Sequence, residues 1–291
     1  MINAILMAVT VSSAVFGNAL KNKFSKQYLK NQTDNLSFNL VGNALVIVIL
    51  IFAGGAVKVS GYTLKVAMGM GIFNLLSGLL FSLSLANGPM ALTTLIQLGI
   101  SLVLSALWGP VFWQERITVW QIAGIALLLV SMVLTSNAKV DKNITFKWLI
   151  ITIAGGMANS ALGLFQKFIT TSAYADEQMG FLFYAFILCT ACNLIWVSLR
   201  KKKEPVSFTF DKNITVIALI CGVTMSLQHI INLKLVGVLP TVVFFPICTG
   251  LRILLTALVG IVIFKEKLSK RQLIGFVIGF ASLFMVAGIF G

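Results

Sequence analysis

Acidic residues are scarce in this sequence: Asp and Glu together occupy 8 of 291 positions, and charged residues of both signs make up 10% of the chain. Soluble proteins carry about 25% charged residues, because a surface that faces water has to be covered by polar groups. Hydrophobic residues instead make up 58% of this chain. The composition therefore excludes a soluble globular domain and predicts an integral membrane protein.

Residues that enzymes and metal sites need are also few. There is a single histidine, and neither His-Glu-x-x-His nor Gly-x-Ser-x-Gly occurs. The four cysteines lie inside apolar runs, so they are not a secreted disulfide framework, and the Cys-x-x-Cys of Cys189 and Cys192 is interpreted as packing. We therefore predict that the protein is not an enzyme, has no cofactor and has no metal site.

Basic residues are plentiful by comparison, and they give a net charge of +14. They lie in short clusters between apolar runs rather than along one face, which excludes a surface for nucleic acid. Basic connections between apolar segments are typical of membrane proteins, in which they face anionic lipid headgroups.

Long hydrophobic runs fill most of the chain. A helix needs about 20 residues to cross the hydrocarbon core, and ten runs of that size predict ten transmembrane helices. The first run lacks the flanks of a signal peptide and is interpreted as a span of the mature protein. The predicted spans are 2–22, 36–56, 64–86, 90–113, 117–136, 147–167, 178–199, 213–235, 240–264 and 269–290.

Lys and Arg are distributed unequally between the two sides of these spans. Sixteen fall on one side, and only Lys58, Lys65, Arg116, Lys167 and Lys234 on the other. The side rich in Lys and Arg is normally cytoplasmic. This bias predicts a multi-pass protein of the cell membrane with both termini on the extracytoplasmic side.

The two halves of the chain repeat each other. Residues 114–124 match residues 265–275 at an offset of 151, which also pairs Pro89 with Pro240 and Gly99 with Gly250. We predict one five-helix repeat over 1–138 and a second over 139–291. Because five is odd, the second repeat has to insert upside down. Such inverted repeats are common in secondary transporters, whose substrate site lies at the repeat interface near the midplane.

The repeated segment carries a family resemblance. An apolar helix ends in Glu, a basic residue, Ile or Leu, and Thr or Ser. After two further residues come Gln, two apolar residues and Gly. The pattern occurs once at Glu115 and again at Glu266. A ten-span chain with this doubled motif resembles the EamA-type members of the drug/metabolite transporter superfamily. The resemblance implies a transporter, for substrates that range across the family from amino acids, sugars and nucleotide precursors to amines and lipid-linked groups. Relatives are usually described with cytoplasmic termini, whereas the charge count here predicts the reverse.

Glu115 and Glu266 themselves are interpreted as structural, either in an interfacial ion pair or as caps of the following helix. Small residues in Gly275-x-x-x-Gly279 and Ser101-x-x-x-Ser105-x-x-x-Gly109 are interpreted as helix-packing positions. We expect a monomer, with a dimer as the alternative.

Arg252 is the main candidate for substrate binding. It lies halfway along the ninth span, where an arginine costs about 2.5–3.5 kcal/mol, and no carboxylate lies at mid-span to pair with it. Its planar guanidinium suits a carboxylate or phosphate of a substrate. The alternative is an arginine that snorkels or bonds to backbone carbonyls near Pro246. The repeat pairs Arg252 with Ser101.

Other polar residues at membrane depth complete the predicted site. On the eighth span, Gln228 and Asn232 share one face and His229 lies on the adjoining face. The histidine could carry a coupling proton or be structural. Small multidrug exporters of the superfamily hold a glutamate within their first helix, whereas the first span here offers Ser12, Ser13 and Asn18 instead. The remaining candidates are Asn74, Ser77, Gln97, Asn159 and Gln166.

These residues predict a secondary transporter for a small polar metabolite, with a carboxylate-bearing, zwitterionic or anionic substrate favoured. Its partners are the lipid bilayer and the substrate, with a proton or sodium ion left open as the coupling ion. The alternatives are a flippase for a lipid-linked group, an exporter of amines or drugs, and a membrane scaffold that transports nothing.

Overall fold

A computed structural model describes residues 2–28, 32–88, 90–136, 145–200, 204–207, 212–262 and 269–288. These residues form ten α-helices and one 3₁₀ helix, Ala175–Glu177, without a strand. The α-helices are α1 Ile2–Tyr28, α2 Gln32–Phe52, α3 Gly61–Asn87, α4 Met90–Trp113, α5 Val119–Thr135, α6 Phe146–Thr170, α7 Gln178–Arg200, α8 Lys212–Val238, α9 Thr241–Val262 and α10 Lys270–Val286.

The all-helical prediction and its count of ten helices are confirmed over the described residues, and most helix ends agree to within three residues. Local sequence explains the sharpest of these ends. Thr118 caps α5 and Ser269 caps α10, each in a capping box with the glutamine three residues later, Gln121 or Gln272. The largest error concerns α1, which continues six residues beyond the predicted end.

Five helical segments are long and apolar enough to cross a membrane. Exposed apolar side chains on these segments support this assignment, since Phe146 is 76% exposed and Leu199 71% exposed. Large apolar surfaces of this kind are covered by lipid or by partners. Four further apolar helical segments are shorter. The five long segments are Gly61–Phe81, Leu92–Trp113, Phe146–Thr170, Ala175–Arg200 and Lys212–Val238.

The chain forms two compact units. The first unit comprises Met1–Leu75 and Phe165–Gly237, and the second comprises Leu76–Leu164 and Val238–Gly291. Each unit therefore takes helices from both halves of the sequence. The predicted repeat boundary at 138/139 lies outside the described residues. It divides the sequence into two repeats, which are not the same as the two compact units, and it stays a prediction.

In the first unit, α2 packs against α7 and the two helices run antiparallel. The Nδ2 atom of Asn43, in the middle of α2, lies 3.9 Å from the sulfur of Cys189 in the middle of α7. Gly55, just beyond the end of α2, lies against the carbonyl of Met179 at the start of α7. The side chains of Val46, Phe181 and Leu182 are fully buried in this unit.

In the second unit, α5 packs against α10 and α4 against α9. Gln121, near the start of α5, reaches the Val286 carbonyl at the end of α10, and Ser131 donates to the Gly275 carbonyl near the start of α10 at 2.7 Å. The pair therefore runs antiparallel. A shared apolar core fills the space between these helices and contains Leu102, Leu128, Met132, Leu254, Leu283 and Val286.

Two glycines at equivalent places in the sequence repeat bring α5 and α10 together. A Cβ on Gly124 would overlap Val286 and Met285 of α10, and a Cβ on Gly275 would overlap Leu134 and crowd the Thr135 backbone of α5. Gly279 likewise faces Ser131 of α5. The prediction that the small residues of α10 serve close helix packing is confirmed within the chain.

Replacing either glycine with alanine is expected to destabilise the second unit, because the added methyl group has no space between rigid neighbours. Gly124→Ala and Gly275→Ala should each cost about 1–3 kcal/mol and lower the Tm in detergent. Gly78→Ala is the matched control, since its Cβ would meet nothing within 4 Å and alanine is the better helix former. Equal Tm values for all three variants would contradict this packing.

Candidate functional site

A row of polar side chains on α4 faces α6 in the second unit. Thr93, Gln97, Ser101 and Ser105 follow each other at intervals of four residues, which places them on one face of the helix. Three of the four are bonded to α6. The bonds join Trp148 Nε1 to Thr93 Oγ1 at 3.2 Å, Asn159 Nδ2 to Ser101 Oγ at 3.0 Å, and Ser105 Oγ to Ser160 Oγ at 3.3 Å.

Gln97 is the exception in this row. Its side chain is 7% exposed, and its buried Nε2 has no hydrogen-bond partner among the described residues. On α6 it lies against Gly155, where a Cβ would overlap the Gln97 amide. A buried N–H group without a partner costs about 1–3 kcal/mol. Gln97 therefore holds a donor that an acceptor on a bound molecule could satisfy.

Arg252 on α9 has the same property. The residue is partly buried, and its Nε atom is buried and has no partner in the described part of the chain. The described ranges also contain no ion pair that involves this guanidinium. It follows Pro246 by six residues, and its own carbonyl accepts from Thr256 Oγ1 at 2.7 Å. A buried arginine without an acid is costly unless another acceptor reaches it.

Glu115 joins the end of α4 to the start of α9. Its Oε2 accepts hydrogen bonds from the backbone N–H of Thr241 at 2.7 Å and from the Thr241 hydroxyl at 2.9 Å. Gln114, with φ of 53°, turns the chain so that Glu115 folds back on Gly109, which has no side chain to block it. The expectation that Glu115 caps the following helix is therefore wrong: Thr118 caps α5, and Glu115 caps α9.

Glu115→Ala is expected to destabilise the protein by about 1–2 kcal/mol, because the first N–H groups of α9 lose their charged acceptor. A thermal-unfolding measurement in detergent checks this value. Asp176→Ala is the control, since this exposed carboxylate also lies in a connection between helices. A Tm for Glu115→Ala equal to that of the control would show that the cap contributes little.

The hydrogen bonds from Thr241 to Glu115 also set the relative depth of the two donors that have no partner in the described residues, Gln97 Nε2 and Arg252 Nε. From the contact between Gly109 and Thr241, Gln97 lies twelve residues back along α4 and Arg252 eleven residues forward along α9. At about 1.5 Å per residue, both lie roughly 17 Å from that contact. The two unbonded donors of the second unit are therefore at the same level.

In the first unit, polar residues of α8 contact three other helices. Asn232 Oδ1 accepts from Thr10 Oγ1 of α1 at 2.8 Å. His229 Nδ1 lies 3.3 Å from Gln166 Nε2 of α6, and the imidazole packs against the Phe186 ring of α7 with centroids 5.1 Å apart. His229 and Asn232, three positions apart on α8, therefore contact different helices, as their spacing predicts.

Lys167 was not predicted as part of this group. The charge count places it at the end of the sixth predicted span, and it lies in the last turn of α6, is 6% exposed, and donates from Nζ to the Val236 carbonyl at 2.9 Å. That carbonyl is in the last turn of α8, where a positive charge is favourable. The sequence signal was weak, because a lysine near a span end ordinarily marks the membrane interface.

Other predicted site residues are not engaged. The side chains of Asn74, Ser77 and Gln228 are half-buried and make no hydrogen bond within the described ranges. The side chain of Asn18 lies outside the described residues, as do Glu266 and Pro89. Asn74, Gln166, Gln228, His229 and Asn232 belong to the first unit, and Ser77, Gln97, Asn159 and Arg252 to the second.

Metal ligands do not cluster in the described part of the chain, where no three His, Cys, Asp or Glu residues come together. The Cys189 sulfur lies 3.6 Å from Asn193 Nδ2, inside the contact between α2 and α7. All four cysteines are free thiols.

Comparison with known proteins supports the fold alone. No family model and no curated protein matches the chain. Among solved structures, a crystal structure described only as that of a protein is similar over 98% of this chain and 99% of its own, with a TM-score of 0.74 and 14% identity. A likeness at this identity shows that the helices are arranged as in an experimentally observed fold.

Proposed function

We propose that the protein is a secondary transporter that moves a small metabolite with a single carboxylate across a cell membrane by alternating access. The observation that carries this proposal is the pair of buried donors, Arg252 Nε and Gln97 Nε2, which lie at one depth and have no acceptor within the described chain. An acceptor that arrives with the substrate would satisfy both.

The charge balance favours a monoanion over a phosphate. In the described part of the second unit, Arg252 is the only charged side chain remote from a helix end. One guanidinium neutralises one negative charge, so a phosphate dianion would leave an uncompensated charge in a low-dielectric site. The planar fork of arginine also matches the two oxygens of a carboxylate. The Asn159–Ser101 pair, on the α4 face that carries Gln97, offers neutral groups for a hydroxyl or ammonium group.

The helix pairing supports ten spans in two inverted repeats. Helices five positions apart in the chain, namely α2 with α7, α4 with α9 and α5 with α10, are the pairs with the most extensive contacts. They run antiparallel, as counterparts related by an axis in the membrane plane would. Gly124 and Gly275 play equivalent parts in one pair, and Thr118 and Ser269 cap equivalent helices. These features fit the resemblance to EamA-type transporters.

Transport by the purified protein in phospholipid vesicles tests the function. The panel contains radiolabelled L-alanine, L-serine, L-glutamate, lactate and succinate, together with ethanolamine and spermidine as amines and a fluorescent phospholipid as a flippase substrate. We expect saturable exchange of at least one monocarboxylate above the level of empty vesicles. Movement of the amines alone, or of the phospholipid alone, would replace the proposal with the corresponding alternative.

A further inference from the structure

His229 is held by a buried amide in the first unit. Gln166 is 4% exposed, and its Nε2 lies 3.3 Å from His229 Nδ1. Phe186 packs on the imidazole at an interplanar angle of 73°. The ring is therefore contacted by residues of α6 and α7, while its own helix bonds to α1 through Asn232.

The amide can serve both charge states of the imidazole. A neutral histidine accepts at one ring nitrogen, which the amide NH₂ of Gln166 can donate to, whereas a protonated histidine donates from both. Rotation of the Gln166 amide by half a turn presents its oxygen to Nδ1–H instead. Nδ1 therefore has a hydrogen-bond partner in Gln166 both when it carries a proton and when it does not.

Four titratable side chains on α6, α7 and α8 are engaged elsewhere or exposed. None of them is a carboxylate. Lys167 donates to the Val236 carbonyl, the Tyr184 hydroxyl donates to the Val57 carbonyl at 3.2 Å, the Cys189 sulfur is near two asparagine amides, and Lys234 is exposed on α8.

No carboxylate lies at mid-span in the described helices. Asp34 lies in the first turn of α2 and accepts hydrogen bonds from the backbone N–H and hydroxyl of Ser207, and the other described acids, Glu115, Asp176, Glu177 and Glu204, lie outside the α-helices. An unperturbed histidine, by contrast, changes charge between about pH 5 and 8. His229 is the only histidine of the chain.

We infer that His229 is the proton-binding site that couples transport to a proton gradient, and that Gln166 is its positioning residue. This inference rests on the proposed transport function. In each cycle Nδ1 takes a proton from one side of the membrane, forming an imidazolium, and gives the same proton up on the other side. No bond to the substrate is made or broken.

A measurement without substrate tests proton binding directly. Protein that carries no histidine tag and is labelled with ¹⁵N-histidine gives a single imidazole in lipid nanodiscs, and His229→Gln assigns it by removing the signal. We expect the ring signals to change with pH between about 5 and 8, as the neutral imidazole binds one further proton. Gln166→Leu should shift the balance between the two neutral tautomers. Ring signals that stay constant over this range would overturn the inference.

Vesicle transport tests coupling, with the carboxylate of the panel that gives the largest exchange as the probe. His229→Asn and His229→Gln should reduce accumulation driven by an imposed pH gradient at least tenfold, and exchange without a gradient less than threefold. Equal loss of both activities in folded protein, or loss of neither, would overturn the coupling role. If the unaltered protein exchanges none of the carboxylates, the transport proposal fails, while the imidazole titration still decides whether His229 binds a proton.

Discussion

Replacing Arg252 with glutamine is expected to lower the apparent affinity for a transported monocarboxylate about a hundredfold, which corresponds to about 2.7 kcal/mol. Glutamine keeps a hydrogen-bonding side chain but removes the charge that would bind the carboxylate. The substitution also removes a buried, unpaired Nε donor, so we expect the protein to fold without loss of Tm. Exchange in vesicles and ligand-induced stabilisation of the Tm measure the two effects.

Two further variants separate charge from geometry. Arg252→Lys should restore only part of the affinity, because an ammonium group cannot offer two parallel N–H donors. Arg271→Gln removes an exposed arginine from the same unit, whose Nη2 donates to the Val133 carbonyl, and should leave exchange within twofold of the unaltered protein.

If the Arg252→Gln variant exchanges substrate at the same rate as the unaltered protein at a subsaturating concentration, the carboxylate proposal is overturned. The neutral residues Asn74, Gln97, Gln228 and Asn232 would then be the better candidates for substrate contacts. Misfolding of this variant, with unchanged affinity in the folded fraction, would instead identify Arg252 as structural.

The helices could be predicted because their signals are local. An apolar run of about 20 residues is a property of consecutive positions, and the capping boxes of α5 and α10 each lie within four residues. The end of α1 is predicted less well, because no proline marks it, and the end of α2 is predicted four residues too late although Gly54, with φ of 81°, follows its last turn. Hydropathy alone does not locate the last turn of a helix that continues into a basic segment.

Contacts between distant residues could not be predicted in this way. Glu115 caps a helix that begins 126 positions later, and the partner of His229 lies 63 positions away on α6. Nothing near Lys167 in the sequence indicates that its amine reaches a carbonyl of α8. The polar types of the candidate residues were evident from the sequence, whereas their partners depend on which helix faces which.

The second prediction with a large expected effect concerns the orientation of the protein in the membrane. A cysteine on one side of the membrane either reacts with an impermeant label added from that side or does not react. Sixteen Lys and Arg fall on one side of the predicted spans and five on the other, and this bias predicts extracytoplasmic termini.

Cysteines at the two ends of α7 test this orientation. The helix has 23 residues and is therefore about 34 Å long, enough to cross the hydrocarbon core, and Ala173 and Glu204 lie just beyond its opposite ends. On a background without the four native cysteines, Ala173→Cys should react with a membrane-impermeant maleimide in intact cells. Glu204→Cys should react only after the cells are opened.

Each alternative result has a definite meaning. The reverse pattern would place both termini in the cytoplasm, as in the relatives that the chain resembles, and would show that the charge bias does not set the topology. Reaction of both cysteines in intact cells would mean that α7 does not span the membrane. The label must be counted per protein molecule in both samples, because a buried thiol and a thiol on the far side are distinguished only by the reaction regained on opening the cells.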